Sequence, residues 1–350
     1  MSDFTICLGS TGGGVWVSHD SGTIWQLSTC DDPWFPYEYD VRALTVDPFD
    51  AHVVWVGLQG DDGEDVIAVS HDAGSSYHRV QAPVKGRQVW ALGASPHHSG
   101  TVFAGLRPGG LLRTTDGGAT WDELPIGIAP TCSVGLTRLL TLSFTDRPGE
   151  LWAGVEIDGI FHTTDNGESW TRLQVAGGEV LLGEGEVWKD ERHVDIRGVT
   201  HAVTTEGQRA LVATTPIGVF RTTDLGATWY GTRYPTDPGY DPAVFYSRAV
   251  VSLPDDPSTL LVGVGRRPPD HGSIGGIERS TDGGLTWLPV IPALRSVVWS
   301  MATHRDLPGV VVAAALNGQV AVSHNGGEAW TACEREFGEL RTVGITPALG

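Results

Sequence analysis

One position recurs in seven related segments of this chain, and its occupants are the residues best suited to bind a charged ligand. In four of these segments the position lies six residues before a proline that ends the segment. In the other three segments the position is found by aligning their apolar residues with those of the first four. The position holds Arg42, Trp90, Arg138, Arg197, Arg248, Trp299 and Arg341. A guanidinium group keeps its charge and presents a planar fork of donors that matches a carboxylate or a phosphate. Five of the 23 basic residues at one position therefore predict an anion site, walled by the two tryptophans.

Potential acid–base groups lie close to this column in the sequence. Asp40 and Asp195 each stand two residues before a column arginine, and the long segments ahead of the column also bring Tyr246 and His193. Carboxylates, phenols and imidazoles are the groups that transfer protons in enzymes. If the ligand is processed as well as bound, the predicted catalytic residues are Tyr246, Asp40, Asp195 and His193.

The same acids allow a second interpretation. Asp40, Asp195 and Glu339 could each pair with the neighbouring arginine around a water-filled channel, so that the column binds no ligand. The sequence leaves both interpretations open, because it does not show which arginines already have partners.

An eight-residue turn must position these segments, because it recurs seven times in register with them. Its pattern is Ser/Thr-x-Asp-x-Gly-x-x-Trp, with Asn325 and Tyr77 as the departures in the acid and aromatic positions. The octets begin at Ser18, Ser70, Thr114, Thr163, Thr222, Ser280 and Ser323. Ser and Asp side chains hydrogen-bond within their own turn, Gly allows its backbone conformation, and the aromatic ring supplies an apolar anchor. Seven copies predict a repeat architecture.

The octets resemble Asp-boxes, or BNR repeats, of the sialidase-like superfamily, which occur in sialidases, bacterial xyloglucanases, sortilin-type receptors and photosystem II assembly factors. The resemblance covers nearly the whole chain and implies a β-propeller in which the octets are structural turns, not sites. The chain lacks the Arg-Ile-Pro segment that sialidases share near their start. A single propeller also differs from xyloglucanases, which work in a cleft between two. The assembly factors are closer in size, with one seven-bladed unit and an arginine patch.

Each octet is accompanied by four short strand patterns, labelled A to D in chain order within a repeat. The chain begins with a B-type strand at 5–9 and ends with an A-type strand at 340–346. The C-terminal strand should therefore complete the first blade and remove its exposed edge. We predict an all-β fold, one seven-bladed β-propeller of four-stranded antiparallel blades spanning residues 1–350. Because A strands are innermost, the column should form a ring at the mouth of the central channel.

Long connections should surround this mouth. The segments 30–40, 175–195 and 231–246 each precede an A strand, and they are rich in aromatic and acidic residues. They should therefore lie on the face opposite the octets, where loops carry function. Aromatic platforms with a few polar groups suit a small-ligand pocket, but they also suit a protein interface.

The composition of the chain argues against some classes of binding partner. The net charge is −19, from 42 acidic and 23 basic residues, so the surface should repel nucleic acid and anionic membranes. No apolar run approaches the ~18 residues of a membrane-spanning helix, and the first residues lack the pattern of a signal peptide, which predicts a cytoplasmic protein. The four cysteines are isolated and no cluster has metal-ligand spacing, so we predict neither a metal nor a cofactor.

These observations favour a protein that binds a small anionic, carboxylate-bearing ligand at the ring, and that processes it if it is a hydrolase or lyase. A second hypothesis is a non-enzymatic assembly scaffold that grips an acidic protein segment with the same face. A third is a BNR-type glycoside hydrolase, in which two carboxylates would face each other across a groove and the ring would take no part.

Overall fold

Seven four-stranded antiparallel sheets follow one another around a central channel, as the sequence predicted. The computed structural model describes residues 3–30, 39–60, 63–173, 179–181, 187–189, 194–233, 245–266, 275–290 and 294–348. From strand A to strand D, blade 1 is Leu340–Pro347, Phe4–Ser10, Val15–Ser18 and Gln26–Leu27; blade 2 is Asp40–Val46, Val54–Gln59, Asp65–Ser70 and Ser76–Arg79; blade 3 is Gln88–Ala94, Val102–Arg107, Gly110–Thr114 and Asp122–Glu123; blade 4 is Leu139–Phe144, Leu151–Val155, Gly159–Thr163 and Thr171–Arg172. Blade 5 is Gly198–Val203, Arg209–Thr215, Gly218–Thr222 and Tyr230–Arg233; blade 6 is Phe245–Ser252, Leu260–Arg266, Gly275–Ser280 and Leu288–Val290; blade 7 is Val298–Ala302, Val311–Ala315, Val320–Ser323 and Thr331–Ala332.

Short additional strands occur at three places in the chain. Thr29–Cys30 pairs in parallel with the outermost strand of blade 2, and Glu179–Leu181 with Val187–Lys189 extends blade 5 beyond its outermost strand. Thr131–Cys132 and Gly135–Leu136 form a hairpin of their own. None of the described helical segments is long and apolar enough to cross a membrane.

The two ends of the chain close the ring. Strand A of blade 1 comes from the C-terminus and pairs with the N-terminal strand from Phe4↔Pro347 to Ser10↔Leu340. This confirms the predicted closure, in which the N-terminal strand is paired on both sides and the C-terminal strand is the innermost strand of the blade.

The apolar core of the described residues lies between the blades. Seven buried clusters each combine side chains of two neighbouring blades, and an eighth, smaller cluster lies beside the ring. In the junction of blades 3 and 4, for example, Phe103 and Leu139 are fully buried. Since each blade packs against a neighbour on both faces, its strand B is almost entirely apolar, as in Val102–Arg107, whereas the outermost strand D is exposed, as in Asp122–Glu123. The propeller is therefore stabilised by the apolar junction between each pair of blades.

The octets form at the end of the channel far from the ring. In each, the first hydroxyl donates to the acid or amide two residues on, for example from Thr163 to Asp165 at 2.7 Å. The backbone N–H of the octet then donates to the turn between strands A and B, as from Asn166 to the carbonyl of Gly149 at 3.0 Å. Strand direction therefore puts the octets on one face and the start of every A strand, with the ring, on the other.

Candidate functional site

A continuous channel of about 950 Å³ follows the inner strands through the molecule. Its wall includes six of the seven ring residues at one end and Pro48, Pro96, Pro254 and Arg305 at the octet end. Arg138 is the ring member outside the channel wall; its guanidinium lies 4.7 Å from the ring centre of Trp90. The described A strands thus bring all seven predicted residues to one mouth.

β-Bulges direct most of these side chains into the channel. In blade 2, Val41 and Ala43 pair with consecutive residues of strand B, so Arg42 stands unpaired between them. The same irregularity falls on Trp90, Trp299 and Arg341, and on Arg248 together with the following alanine. In blade 4 the bulge falls on Leu140, two residues beyond Arg138. An extra residue in one strand bends it and turns a side chain out of the regular alternation. In blade 4 the bulge therefore lies beyond Arg138, the one ring arginine that does not line the channel.

Arg42 and Arg341 have the acid two residues earlier as their described carboxylate partner. The Nη2 of Arg42 lies 2.7 Å from Asp40 Oδ2, and its Nε donates to Gln59 at 2.8 Å. Arg341 pairs with Glu339 in the same way. In both pairs the acid lies at the start of strand A or directly before it, next to the bulge that carries the arginine.

A buried glutamate that the sequence did not single out neutralises two more. The Nη1 of Arg138 lies 2.8 and 2.7 Å from the two oxygens of Glu156, and Nη1 of Arg197 lies 3.1 Å from Oε1. Arg197 also contacts Asp195 at 2.6 Å. Burial would lower the pKa of Arg197, but Tyr246 and the two carboxylates outweigh it and raise that pKa.

Arg248 is different from the other four. Among the described residues, no carboxylate lies within 4.0 Å of its guanidinium, and the position two residues earlier holds Tyr246, whose hydroxyl is its hydrogen-bond partner. Burial, together with repulsion from Arg197 and Arg341, lowers the pKa of Arg248 to about 10. The side chain is therefore still charged at neutral pH, but its charge is poorly compensated.

Aromatic rings fill the spaces between the cations. Trp90 lies between Arg42 at 4.9 Å and Arg138 at 4.7 Å. Trp299 in the same way lies between Arg248 at 4.0 Å and Arg341 at 4.5 Å. A guanidinium over an indole face is stabilised by the negative face of the ring. The tryptophans thus separate like charges as well as forming walls.

The predicted catalytic residues have positions that suit ion pairing more than proton transfer. Asp40 holds Arg42 and accepts from the N–H of Gly12 at 2.8 Å, and Asp195 is buried against Arg197. Tyr246 is buried, with its ring nearly parallel to Trp299 at a centroid distance of 6.0 Å. His193 lies outside the described residues. In the described part of the chain, no group of three or more His, Cys, Asp and Glu side chains is placed to hold a metal ion.

Comparison with known proteins agrees with the propeller architecture. No protein-family model matches the chain. The probable oligoxyloglucan-reducing end-specific xyloglucanase of Neosartorya fischeri is 28% identical over 126 residues, which is 34% of this chain and 15% of that protein. The corresponding Emericella nidulans enzyme is 32% identical over 87 residues, or 23% of this chain and 10% of the enzyme. The matching segments thus span only a small part of these relatives.

Solved structures match over far more of the chain. The GH74 xyloglucanase of Xanthomonas campestris aligns with 99% of this chain and 53% of its own, with a TM-score of 0.65 and 20% identity. The structure of YCF48 bound to D1 peptide aligns with 88% of this chain and 86% of its own, with a TM-score of 0.54 and 17% identity. At these identities the likeness concerns the fold, and the chain is a seven-bladed β-propeller similar to GH74 xyloglucanases and to YCF48.

Proposed function

We propose that this protein is a binding protein for a carboxylate-bearing ligand, which it holds at the ring end of the channel with Arg248 as the anchor. The observation that carries the proposal is the difference in pairing: four ring arginines contact carboxylates, whereas Arg248 has none among the described residues. A partly buried cation without a counter-ion is unfavourable, and an anion that enters the mouth relieves it. Planar carboxylates fit the guanidinium fork.

The surroundings of Arg248 define the pocket for this anion. Trp299 covers one face of the guanidinium, so a ligand approaches its free edge in the plane of the group. The hydroxyl of Tyr246 accepts from Arg248 and can donate its own proton to a carboxylate oxygen. Charge-assisted hydrogen bonds of this kind are about twice as strong as neutral ones.

Binding without turnover agrees best with the acids of the mouth. Asp40, Asp195 and Glu156 are each engaged in an ion pair with a ring arginine, so each has a structural contact that accounts for it. The sequence similarity to xyloglucanases keeps a glycoside hydrolase as the alternative, but it covers a third of this chain or less. A hydrolase would need two carboxyl groups facing each other across a substrate groove.

A peptide is a second candidate for the bearer of the carboxylate. The observation that favours it is the match to YCF48 bound to D1 peptide, which covers most of both chains. A peptide would present a terminal or side-chain carboxylate to Arg248 and use the surrounding face for further contacts.

Titration calorimetry tests the proposal with benzoate, and with a short peptide carrying either a free C-terminal carboxylate or a C-terminal amide. We expect the native protein to bind benzoate or the free-acid peptide, and Arg248→Ala to lose that binding. The matched control is Arg305→Ala, which removes an arginine at the octet end of the same channel. Equal binding by native and Arg248→Ala proteins, or no binding to any of the three probes, would contradict the proposal.

A further inference from the structure

Two buried glutamates mark the two ends of one inner strand. Glu150 precedes Leu151–Val155 at the octet end, and Glu156 follows it at the ring end. Both side chains are almost inaccessible, with exposures of 6% and 3%. Glu150 pairs with Arg209 and His162, whereas Glu156 pairs with two ring arginines. The same residue type in the same strand therefore serves two different charge clusters.

The charge of the ring end depends directly on Glu156. The ring carries five arginines, and the described carboxylates that contact them are Asp40, Glu156, Asp195 and Glu339. Among these nine groups one positive charge is left over, and it belongs to Arg248. Arg107 is not a ring member, but it adds a positive charge near Arg138 and Glu156 and donates to Gln88 at 2.9 Å. Arg138 has Glu156 as its described carboxylate partner, so loss of that one acid would leave a second uncompensated cation.

We propose that Glu156 is a specificity-determining residue, which restricts the ring to ligand groups with a single negative charge. This inference rests on the proposed function and names its ligand class as monocarboxylates. The first negative charge of a ligand meets Arg248. A second negative charge would find the remaining arginines occupied and would face their carboxylates, and unpaired like charges are repelled strongly where water is excluded.

The test compares benzoate, which carries one negative charge, with phthalate, which carries two on the same ring. We expect the native protein to bind benzoate more tightly than phthalate. In Glu156→Gln this preference should fall by about tenfold, because a unit charge several Å away, at the effective dielectric constant of partly buried sites, has an effect of about this size. The amide of glutamine keeps one acceptor oxygen for the arginines while removing the charge.

Glu150→Gln is the matched control, since it removes an equally buried charge from the same blade at the other end of the channel. In Glu150→Gln the ratio of the benzoate affinity to the phthalate affinity should stay within about twofold of the native value, because a charge about 20 Å away is screened. An unchanged ratio in folded Glu156→Gln, or an equal change in Glu150→Gln, would overturn the inference.

A second variant covers the case in which Glu156→Gln does not fold. Glu339 is more exposed, at 39%, so Glu339→Gln should fold and shift the ratio in the same direction by about threefold. If Glu156→Gln is unfolded, an unaltered ratio in Glu339→Gln overturns the inference. If benzoate binding depends on Arg248 but the affinity ratio is the same in the glutamate variants as in the native protein, the inference fails and the proposed function stands. The inference and the proposed function both fail if none of the probes binds, or if Arg248→Ala binds them as the native protein does.

Discussion

The guanidinium carbon of Arg248 lies 4.0 Å from the centre of the Trp299 indole ring, and among the described residues this guanidinium, unlike those of the other ring arginines, contacts no carboxylate. An indole face offsets part of the cost of burying a cation, but it supplies no full negative charge. In the proposed function, Arg248 is held in place in the free protein by Trp299 and Tyr246, and its hydrogen-bonding edge receives the ligand. A site prepared in this way reorganises little on binding.

A poorly compensated charge at Arg248 should lower the stability of the free protein, so Arg248→Met should make the free protein more stable. Methionine keeps the apolar contact with Trp299 and removes the poorly compensated charge, and we expect the free energy of unfolding to rise by about 1 kcal/mol. Urea unfolding measures it. Arg197→Met is the control and should lose about 3 kcal/mol, because it leaves Asp195 and Glu156 buried with a lost partner. A clear destabilisation by Arg248→Met would contradict this account of the site.

Acid should weaken the junction of blades 4 and 5 through Glu150. Burial alone would raise the pKa of Glu150, but hydrogen bonds from Arg209, Thr145 and His162 outweigh it and lower the pKa from 4.5 to about 2. A carboxyl whose folded pKa is depressed contributes stability above its unfolded pKa and loses it as pH falls towards the folded one. The window is therefore from about pH 4.5 down to about pH 2.

Urea unfolding at pH 6 and at pH 3 tests this contribution. The native protein should lose about 2 kcal/mol through Glu150 between these conditions, and Glu150→Gln should lack that part of the decrease. Glu334→Gln, which changes an exposed glutamate, should behave like the native protein. An identical pH dependence in native and Glu150→Gln proteins would assign the acid sensitivity to other groups.

The fold and the ring could be predicted because local signals agreed. The octets recur once per blade, and the prolines that end the A strands fix the register from which Arg42 and Arg248 were counted. Contacts between side chains of different blades depend on how the blades pack, which the sequence alone does not show. Glu156 directly follows a B strand, and the sequence of its own blade does not indicate that it also contacts Arg197 of the next blade.

One signal was nevertheless present in the sequence. The residue two places before a ring member is its partner in several blades, as Asp40 is for Arg42 and as Gln88 is for Trp90 at 3.1 Å. Before Arg248 the same position holds Tyr246, not an acid. Comparing these positions along the seven A strands would have identified Arg138, preceded by Leu136, and Arg248 as the two ring arginines without an acid two residues earlier. Only the structure shows that Arg138 pairs with Glu156 instead.

An exposed leucine in a left-handed conformation predicts a stabilising substitution. Leu225 has a φ of 57° and is 61% exposed, while the corresponding octet position holds Gly117 with a φ of 70°. Glycine adopts this conformation without strain, whereas a side chain costs roughly 1 kcal/mol. Leu225→Gly should therefore raise the free energy of unfolding by about 0.5 kcal/mol, net of the entropy that glycine adds to the unfolded chain. Leu225→Ala, which keeps a Cβ, should not; a gain from alanine equal to that from glycine would attribute the effect to removal of an exposed apolar surface.

The octet acids should differ in their tolerance of an amide. Asp165 Oδ2 accepts from the hydroxyl of Ser169 at 2.6 Å, while in blade 7 Asn325 stands opposite Ala329, which has no hydroxyl to donate. An amide nitrogen cannot accept that hydrogen bond. We expect Asp165→Asn to lower the free energy of unfolding by about 1 kcal/mol. The double variant Asp165→Asn/Ser169→Ala reproduces the combination found in blade 7. Its free energy of unfolding should be close to that of Ser169→Ala alone, which a double-mutant cycle by urea unfolding can measure. Equal losses from Asp165→Asn with serine and with alanine at position 169 would mean that the acid stabilises the turn through its backbone contacts and not through the hydroxyl.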